Sequence, residues 1–145
     1  MFKKPVIVFE GIEGSGKSFH ISYVSSYLKS KGIEHIKIRE PGGSINSEKI
    51  RKIILNNKSN FNRDTDLLLY LAGRSENVSL LNKNYKKKII LIDRFIDSTV
   101  AYQHYGLGVS LKLINAINKH ILKNFKIDFT FLNIVNQKNM NKRLK

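Results

Sequence analysis

Four short apolar runs recur along the chain, and a polar turn follows each of them. The runs are Val6–Phe9, Ile36–Ile38, Ile89–Ile92 and Phe129–Val135. Continuous apolar runs of this length are typical of strands that are covered on both faces of a sheet. We therefore predict four strands of a buried sheet, of which the second is the weakest.

Helical periodicity fills the intervals between these runs. The first predicted helix covers about 17–30, with Ile21, Val24 and Leu28 on one face and Gly32 placed to end it. Further patterns predict a short helix after the Pro41-Gly42-Gly43 turn, a longer one from an Asp64-Thr65 cap to about residue 82, and one capped by Ser110. Ile50, Ile53 and Ile54 mark the short helix. The predicted order of elements is βαβααβααβ.

Strands that alternate with helices in this way indicate an α/β fold in three layers with a mainly parallel sheet. Such folds bind their ligand at the carboxyl ends of the strands. A chain of 145 residues with 41% hydrophobic content can bury one core and is short for two. We expect residues 1–145 to form a single domain.

Composition excludes several classes of protein. The absence of cysteine removes disulfides, thiolate metal sites and cysteine nucleophiles. Lys3 and Lys4 precede an apolar run that is far too short for a signal peptide, and no stretch approaches the length of a membrane span. We expect a cytoplasmic protein.

The net charge of +15 is large, which in general favours nucleic acid or anionic membranes as partners. The lysines, however, are mostly scattered, apart from Lys86-Lys87-Lys88 and a cluster from Lys142 to Lys145. No basic stripe with interleaved aromatic residues or groove-reading motif accompanies them. A solvated basic surface is the preferred interpretation, and nucleic-acid binding is not expected.

The most specific motif follows the first predicted strand. Residues 11–18 read G-x-x-x-x-G-K-S, a phosphate-binding loop in its strand–loop–helix context. The glycines let backbone N–H groups turn towards a polyphosphate, Lys17 reaches its β and γ oxygens, and the hydroxyl of Ser18 binds Mg²⁺. We predict that a nucleoside triphosphate and Mg²⁺ bind at the loop residues Gly11, Ile12, Glu13, Gly14, Ser15, Gly16, Lys17 and Ser18.

Three other segments contain candidate chemistry. They are Arg39-Glu-Pro-Gly-Gly43, Leu69-Tyr-Leu-Ala-Gly-Arg74 and Asp93-Arg-Phe-Ile-Asp-Ser-Thr-Val-Ala-Tyr-Gln103. Together with the phosphate loop, and in this order, they resemble the thymidylate kinase family. The resemblance covers nearly the whole chain and implies a P-loop nucleoside monophosphate kinase fold.

Asp93 and Arg94 follow the third predicted strand, so both should project beside the phosphate loop. An Asp in this position can hold Mg²⁺ or its waters, and an Arg can clamp phosphoryl oxygens. The resemblance implies that Arg94 binds the dTMP phosphate and that Asp93 supports the metal. A buried structural pair is the alternative. Lys17, Asp93 and Arg94 are the predicted catalytic residues.

Several acceptor contacts are also implied by the resemblance. Glu13 would contact the sugar 3′-hydroxyl; a solvent-facing loop acid is the alternative. Arg51 would be a second phosphate clamp, or else an ordinary exposed helix charge. Glu40 and Pro41 would form a stiff wall beside the base, since proline restricts the residue before it. Glu40 could alternatively accept a local hydrogen bond.

The base itself would be held by residues of two helical segments. Tyr70 would stack on thymine, unless it packs in the core of its helix. Arg74 lies four residues later on the same face and would read O4, which is an acceptor in thymine where cytosine has a donor. By resemblance, Thr99 and Gln103 hydrogen-bond the rest of the base and Tyr102 stands near C2′. Ser98 completes the predicted set for dTMP.

The chain departs from the family pattern in two ways. Residues 13–15 of the loop carry no arginine, which matches the branch that supplies its catalytic arginine from a mobile lid. The family also has Asp where this chain has Asn133, and continues with a helix, an Arg-rich lid, further helices and a last strand; by this comparison the chain stops within that helix. We expect a chain that ends before the lid and the last strand.

The expected reaction is phosphorylation of dTMP to dTDP by ATP and Mg²⁺ in dTTP biosynthesis, and a homodimer is expected by resemblance only. An inactive fragment that binds nucleotides or other polyanions is the alternative.

Overall fold

A computed structural model describes residues 4–56 and 58–144, so Lys3 and Lys145 of the basic clusters lie outside the described residues. Strands and helices alternate as the sequence predicts, and the helix that the resemblance implies after the last strand is present. The elements are β1 (Val6–Glu10), α1 (Lys17–Ser30), β2 (His35–Arg39), α2 (Ile45–Ile54), α3 (Arg63–Asn84), β3 (Ile89–Asp93), α4 (Ile96–Thr99), a π-helical segment (Val100–Gly106), α5 (Leu111–Leu122), β4 (Phe129–Leu132) and α6 (Gln137–Arg143).

The four strands form one parallel sheet in the order β2-β3-β1-β4. Phe9 and Arg39 are both paired in register with Asp93, and Glu10 is paired with Leu132. The carboxyl ends of all four strands therefore meet at one edge of the sheet, where ligands bind in open α/β folds.

Alternating strand residues enter two separate cores, which makes the fold three-layered. Val6, Val8, Ile90 and Ile92 pack on one face against apolar residues of α3 and α5. Phe9 and Leu91 point to the other face and pack against α1. Both faces of β1 and β3 are thus buried, which explains why these strands are continuous apolar runs. The α/β prediction with a parallel sheet is confirmed.

Two predicted boundaries are wrong. The last strand ends at Leu132 and not at Val135, because the N–H of Asn133 makes the last backbone contact with β1 and Asn136 already caps α6. The third helix is capped by Asn62 and not by Asp64-Thr65: the side-chain oxygen of Asn62 accepts from the backbone N–H groups of both of those residues. The predictions for α1 and for the Ser110 cap of α5 are confirmed.

Candidate active site

The loop between β1 and α1 takes a course that depends on glycine. Gly11 and Gly16 have φ angles of 140° and 93°, which residues with a Cβ rarely adopt. At Gly11 a Cβ would also collide with the backbone oxygen of Asn133. Because the first N–H groups of a helix have no partner within it, the loop leads into a set of donors at the start of α1 that suits an anion.

Lys17 is the first residue of α1, and its side chain folds back over the loop. Its Nζ donates to the backbone oxygens of Gly11 at 2.8 Å and Ile12 at 2.9 Å. Burial lowers the pKa of Lys17, and the neighbouring Arg94 lowers it further. Asp93, Glu10 and Glu13 raise the pKa of Lys17 and offset this decrease only in part, so an approaching anion would further stabilise the ammonium.

Asp93 and Arg94 form the turn that follows β3, beside the phosphate loop. Arg94 has a φ of 64°, a strained backbone conformation of the kind that concentrates at functional sites. Its guanidinium donates to the hydroxyl of Ser98 at 3.3 Å and lies 5.5 Å from the ring centre of Tyr102. The Oδ1 of Asp93 is buried and has no hydrogen-bond partner among the described residues.

Glu10 holds this turn in place from the end of β1. One of its carboxylate oxygens accepts from the backbone N–H of Phe95 at 2.7 Å and of Ser98 at 3.3 Å. The other accepts from the hydroxyl of Ser98 at 2.5 Å. The carboxylate of Glu10 thus ties the phosphate-loop strand to the segment that carries Arg94.

A cavity of about 290 Å³ opens at the carboxyl edge of the sheet. Every residue predicted to bind dTMP lines it, together with Leu55 and Phe95. The predicted residues are Glu13, Glu40, Pro41, Arg51, Tyr70, Arg74, Arg94, Ser98, Thr99, Tyr102 and Gln103. The fold therefore brings into one place residues that are spread over ninety positions of the sequence, from 13 to 103.

Arg74 is fixed from three sides at the bottom of this cavity. Its Nε donates to Glu40 at 2.7 Å, its Nη1 to Asn118 at 2.7 Å and its Nη2 to Thr99 at 3.0 Å. The ring of Phe95 lies beneath it, 4.8 Å from the guanidinium carbon. Arg74 is 2% exposed. A planar cation that is held this firmly presents its remaining N–H groups in a fixed direction.

The loop that carries Glu40 is supported by the neighbouring helices. Asn77 on α3 donates to the backbone oxygen of Gly42 at 2.8 Å and accepts from the backbone N–H of Ser44 at 2.9 Å. Arg51 on α2 donates to the backbone oxygen of Pro41 at 2.6 Å. The wall of the cavity is therefore bonded to both α2 and α3.

A second cavity of about 410 Å³ adjoins the first and lies over the phosphate loop. Glu13, Arg51 and Arg94 line both cavities. The second is also lined by Gly14, Gly16, Lys17, Ser18, Phe19, Asp93 and Arg143. The guanidinium of Arg143 donates to the backbone oxygen of Gly14 at 3.0 Å, so four cationic side chains surround this space.

Other loop residues lie away from the second cavity. Gly11 and Ile12 line a separate groove, which Arg94 shares. Ser15 is buried, and its hydroxyl has no partner among the described residues.

The residues that line the phosphate cavity fit Mg²⁺. Within residues 4–56 and 58–144 no group of three or more His, Cys, Asp or Glu side chains could hold a metal ion. Mg²⁺ in nucleotide sites needs few protein ligands, because phosphates and waters supply the rest. Ser18 and Asp93 offer an exposed hydroxyl and a carboxylate oxygen without a partner in the same cavity.

Sequence reasoning missed Glu10, Asp66, Asn77 and Asn118. Two of them left a signal. Glu10 is an acid at the end of an apolar strand, and Asn118 stands four residues after Ile114 on the apolar face of α5. The partners of Asp66 and Asn77 are distant in the sequence, so no local pattern marks these two residues.

No helix in the described part of the chain is long and apolar enough to cross a membrane.

Comparison with known proteins agrees with the geometry. The model of the thymidylate kinase family matches residues 9–145. A thymidylate kinase of Thermosipho africanus is 43% identical over 127 residues, which are 86% of this chain and 63% of that protein. One of Kosmotoga olearia is 44% identical over 115 residues, which are 78% of this chain and 55% of that protein.

The fold has a counterpart among solved structures. The crystal structure of thymidylate kinase from Ehrlichia chaffeensis superposes on this chain with a TM-score of 0.82 at 34% identity. The superposition covers 99% of this chain and 79% of the Ehrlichia chaffeensis chain. The parallel sheet and the phosphate loop therefore define a protein with the P-loop nucleoside monophosphate kinase fold. Within that class, the chain belongs to the thymidylate kinase family.

Proposed function

We propose that the protein transfers the γ-phosphoryl group of ATP to dTMP, which gives ADP and dTDP for dTTP synthesis. The observation that carries the proposal is the junction of the two cavities at Glu13, Arg51 and Arg94. If the acceptor occupies the first cavity and the triphosphate lies over the loop, the phosphates of both ligands lie next to Arg51 and Arg94. Phosphoryl transfer relies mainly on such positioning and charge neutralisation.

The acceptor would be held at its base, its sugar and its phosphate. Tyr70 and Arg74 would bind the base by stacking and by donation to O4, and Thr99 and Gln103 would complete the contact. Glu13 would accept from the 3′-hydroxyl, and Tyr102 would leave no space for a 2′-hydroxyl. Arg51 and Arg94 would bind the phosphate in bidentate fashion.

The donor would be held by the loop. Lys17 would leave the carbonyls of Gly11 and Ile12 and bind the β and γ oxygens. Ser18 and Asp93 would hold Mg²⁺, which supplies neutralisation of phosphate charge when it is bound. Arg143 reaches the loop from α6 and would add a further positive charge.

The proposal is tested by incubating the chain with ATP, Mg²⁺ and dTMP and measuring dTDP by chromatography. Turnover should be lost without dTMP and should fall by about 10²-fold or more in Lys17→Ala, which loses a preorganised charge. Lys29→Ala on the exposed part of the same helix is the control and should retain activity. Equal activity in the two variants would contradict the role of the loop.

A second candidate is nucleotide binding without turnover. It is favoured by residues 13–15 of the phosphate loop, which carry no arginine, since an arginine beside the transferring group greatly accelerates phosphoryl transfer. Saturable binding of dTMP and ATP together with no detectable dTDP would support this alternative.

We also expect a cytoplasmic protein and a homodimer packed through helices, which fractionation and sedimentation can test.

A further inference from the structure

Gln103 has one satisfied and one unsatisfied end. Its Nε2 donates to the Oδ2 of Asp66 at 2.9 Å. Its Oε1 is buried and accepts no hydrogen bond from the described residues. The residue is 3% exposed and lines the first cavity. A buried amide oxygen without a donor is uncommon in native proteins and indicates a partner that is still to be bound.

Asp66 determines which end of the amide faces the ligand. An ionised carboxylate can only accept hydrogen bonds, whereas an amide donates from one end and accepts at the other. Gln103 must therefore turn its NH₂ group towards Asp66, and Oε1 takes the opposite side. Reversal would place two acceptors 2.9 Å apart and would break this contact.

The location of Asp66 supports a role behind the cavity. It lies on α3 one helical turn before Tyr70, which lines the cavity, whereas Asp66 does not. Its charge is close enough to contribute to the raised pKa of Tyr70, which is due first to burial. Asp66 thus reaches the cavity only through its neighbours.

We propose that Asp66 is a specificity-determining positioning residue, which fixes the Gln103 amide with its oxygen towards a bound pyrimidine. The proposal rests on the proposed function. A free acceptor is complementary to N3 of thymine or uracil, which carries a proton, and is opposed by N3 of cytosine, which carries a lone pair. Arg74, whose contact with Thr99 places it in the same cavity, offers donors for the adjacent O4.

The test is the substitution Asp66→Asn, which keeps the shape of the side chain but supplies both a donor and an acceptor. The Gln103 amide can then adopt either orientation. Equilibrium affinities for dTMP and dCMP are measured by titration calorimetry on the wild type and the variant. The ratio of the two affinities should fall by about tenfold, because dTMP binds more weakly and dCMP more strongly.

The matched control is Asp64→Asn, on the same helix. Asp64 is 66% exposed and contacts only Arg63 at 3.7 Å among the ion pairs of the described residues. The charge change is the same, and the affinity ratio should equal that of the wild type. Asp66→Glu keeps an acceptor-only group and should also retain the ratio.

Every outcome of these titrations either supports or overturns the proposed role of Asp66. If Asp66 has only a structural role, Asp66→Asn should lower the affinities for dTMP and dCMP by the same factor. The ratio of the two affinities would then be unchanged, and the inference would be overturned. If Asp66→Asn fails to fold, a collapse of the ratio in Asp66→Glu would overturn it and a retained ratio would support it. If the wild type binds dTMP and dCMP equally well, this inference is overturned but the proposed function is not. If the wild type does not bind dTMP, the proposed function is contradicted.

Discussion

The guanidinium of Arg74 and the carboxylate of Glu40 form an ion pair at 2.7 Å, with 2% and 6% of the two side chains exposed. The pair joins the middle of α3 to the loop after β2. Burial raises the pKa of Glu40, and Arg74 opposes that rise. Each charge therefore depends on the other, because water cannot replace either partner.

Removing one member of this pair should destabilise the fold. Arg74→Ala leaves the Glu40 carboxylate buried without a cation and should lower the free energy of unfolding by about 3–5 kcal/mol. Urea denaturation measures the loss. Arg63→Ala removes an exposed contact of 3.7 Å and is the control, with a change of at most about 0.5 kcal/mol. Similar losses in the two variants would contradict the importance of burial.

Lys17 should take up a proton when a phosphate ligand binds. Burial and Arg94 lower the pKa of Lys17 from 10.5 in the free protein, and a bound anion raises it again. At alkaline pH, between the free and the bound pKa, binding of ATP must therefore be accompanied by protonation, and affinity must fall as pH rises through this range. Calorimetry in buffers of different ionisation enthalpy measures the uptake.

The control for this experiment is Lys17→Arg, since a guanidinium stays protonated throughout. Proton uptake should disappear in that variant. Identical uptake in the variant and the wild type would show that another group titrates.

Glu10 should affect the binding of phosphate more than the binding of the nucleoside. Glu10→Ala frees the backbone N–H groups of Phe95 and Ser98 and releases the turn that orients Arg94. We expect a stability loss of about 1–3 kcal/mol, and an affinity for dTMP that falls more than the affinity for thymidine. Glu34→Ala, which removes a surface contact with Lys88 at 3.1 Å, is the control. Parallel losses for the two ligands would contradict this role.

Tyr70 should contribute to affinity without choosing the base. Stacking on an aromatic ring is worth about 1–3 kcal/mol per base and tolerates any base. Tyr70→Ala should therefore weaken dTMP and dCMP by the same factor, and Tyr70→Phe should bind as the wild type does. A changed ratio in Tyr70→Ala would contradict base-tolerant stacking, and a changed ratio in Tyr70→Phe as well would assign base recognition to the hydroxyl of Tyr70.

The outer edge of β4 should cause the chain to associate. Every residue of β4 is exposed, and its outer side pairs with no strand in the described part of the chain. Ile134, just beyond the strand, is 84% exposed. Unpaired edges with apolar neighbours favour association, so sedimentation should show concentration-dependent oligomers that Ile134→Lys reduces. Tyr105→Lys, at a site that is 79% exposed, is the control and should change little.

The boundaries of α1 could be predicted from the sequence because local signals agree there. Glycines precede the helix, an apolar stripe runs along it and Gly32 follows it. The start of α3 could not be chosen in the same way, since Asn62, Asp64 and Thr65 are all good capping residues. The end of β4 was missed because Ile134 and Val135 continue the apolar run while lining a cavity.

Residues of the candidate site also differ in how far the sequence could predict them. The positions of Lys17 and Arg94 beside the phosphate loop could be predicted because each residue belongs to a local motif. The partners that fix them could not, because the contact of Arg74 with Asn118 spans 44 positions and that of Glu10 with Phe95 spans 85. A buried polar residue such as Glu10 or Asn118 can be noticed from its local pattern, but the residue that it contacts cannot be chosen from that pattern.

The position of β1 in the middle of the sheet constrains the order of folding. Its neighbours are β3 and β4, and the hydrogen bond from Val6 to Asp128 closes a loop of 122 residues. During synthesis, β1 and the phosphate loop must therefore wait for most of the chain before either side of the strand is paired. Such non-local pairing is slow, so the nascent chain should depend on chaperones until β3 and β4 have emerged from the ribosome.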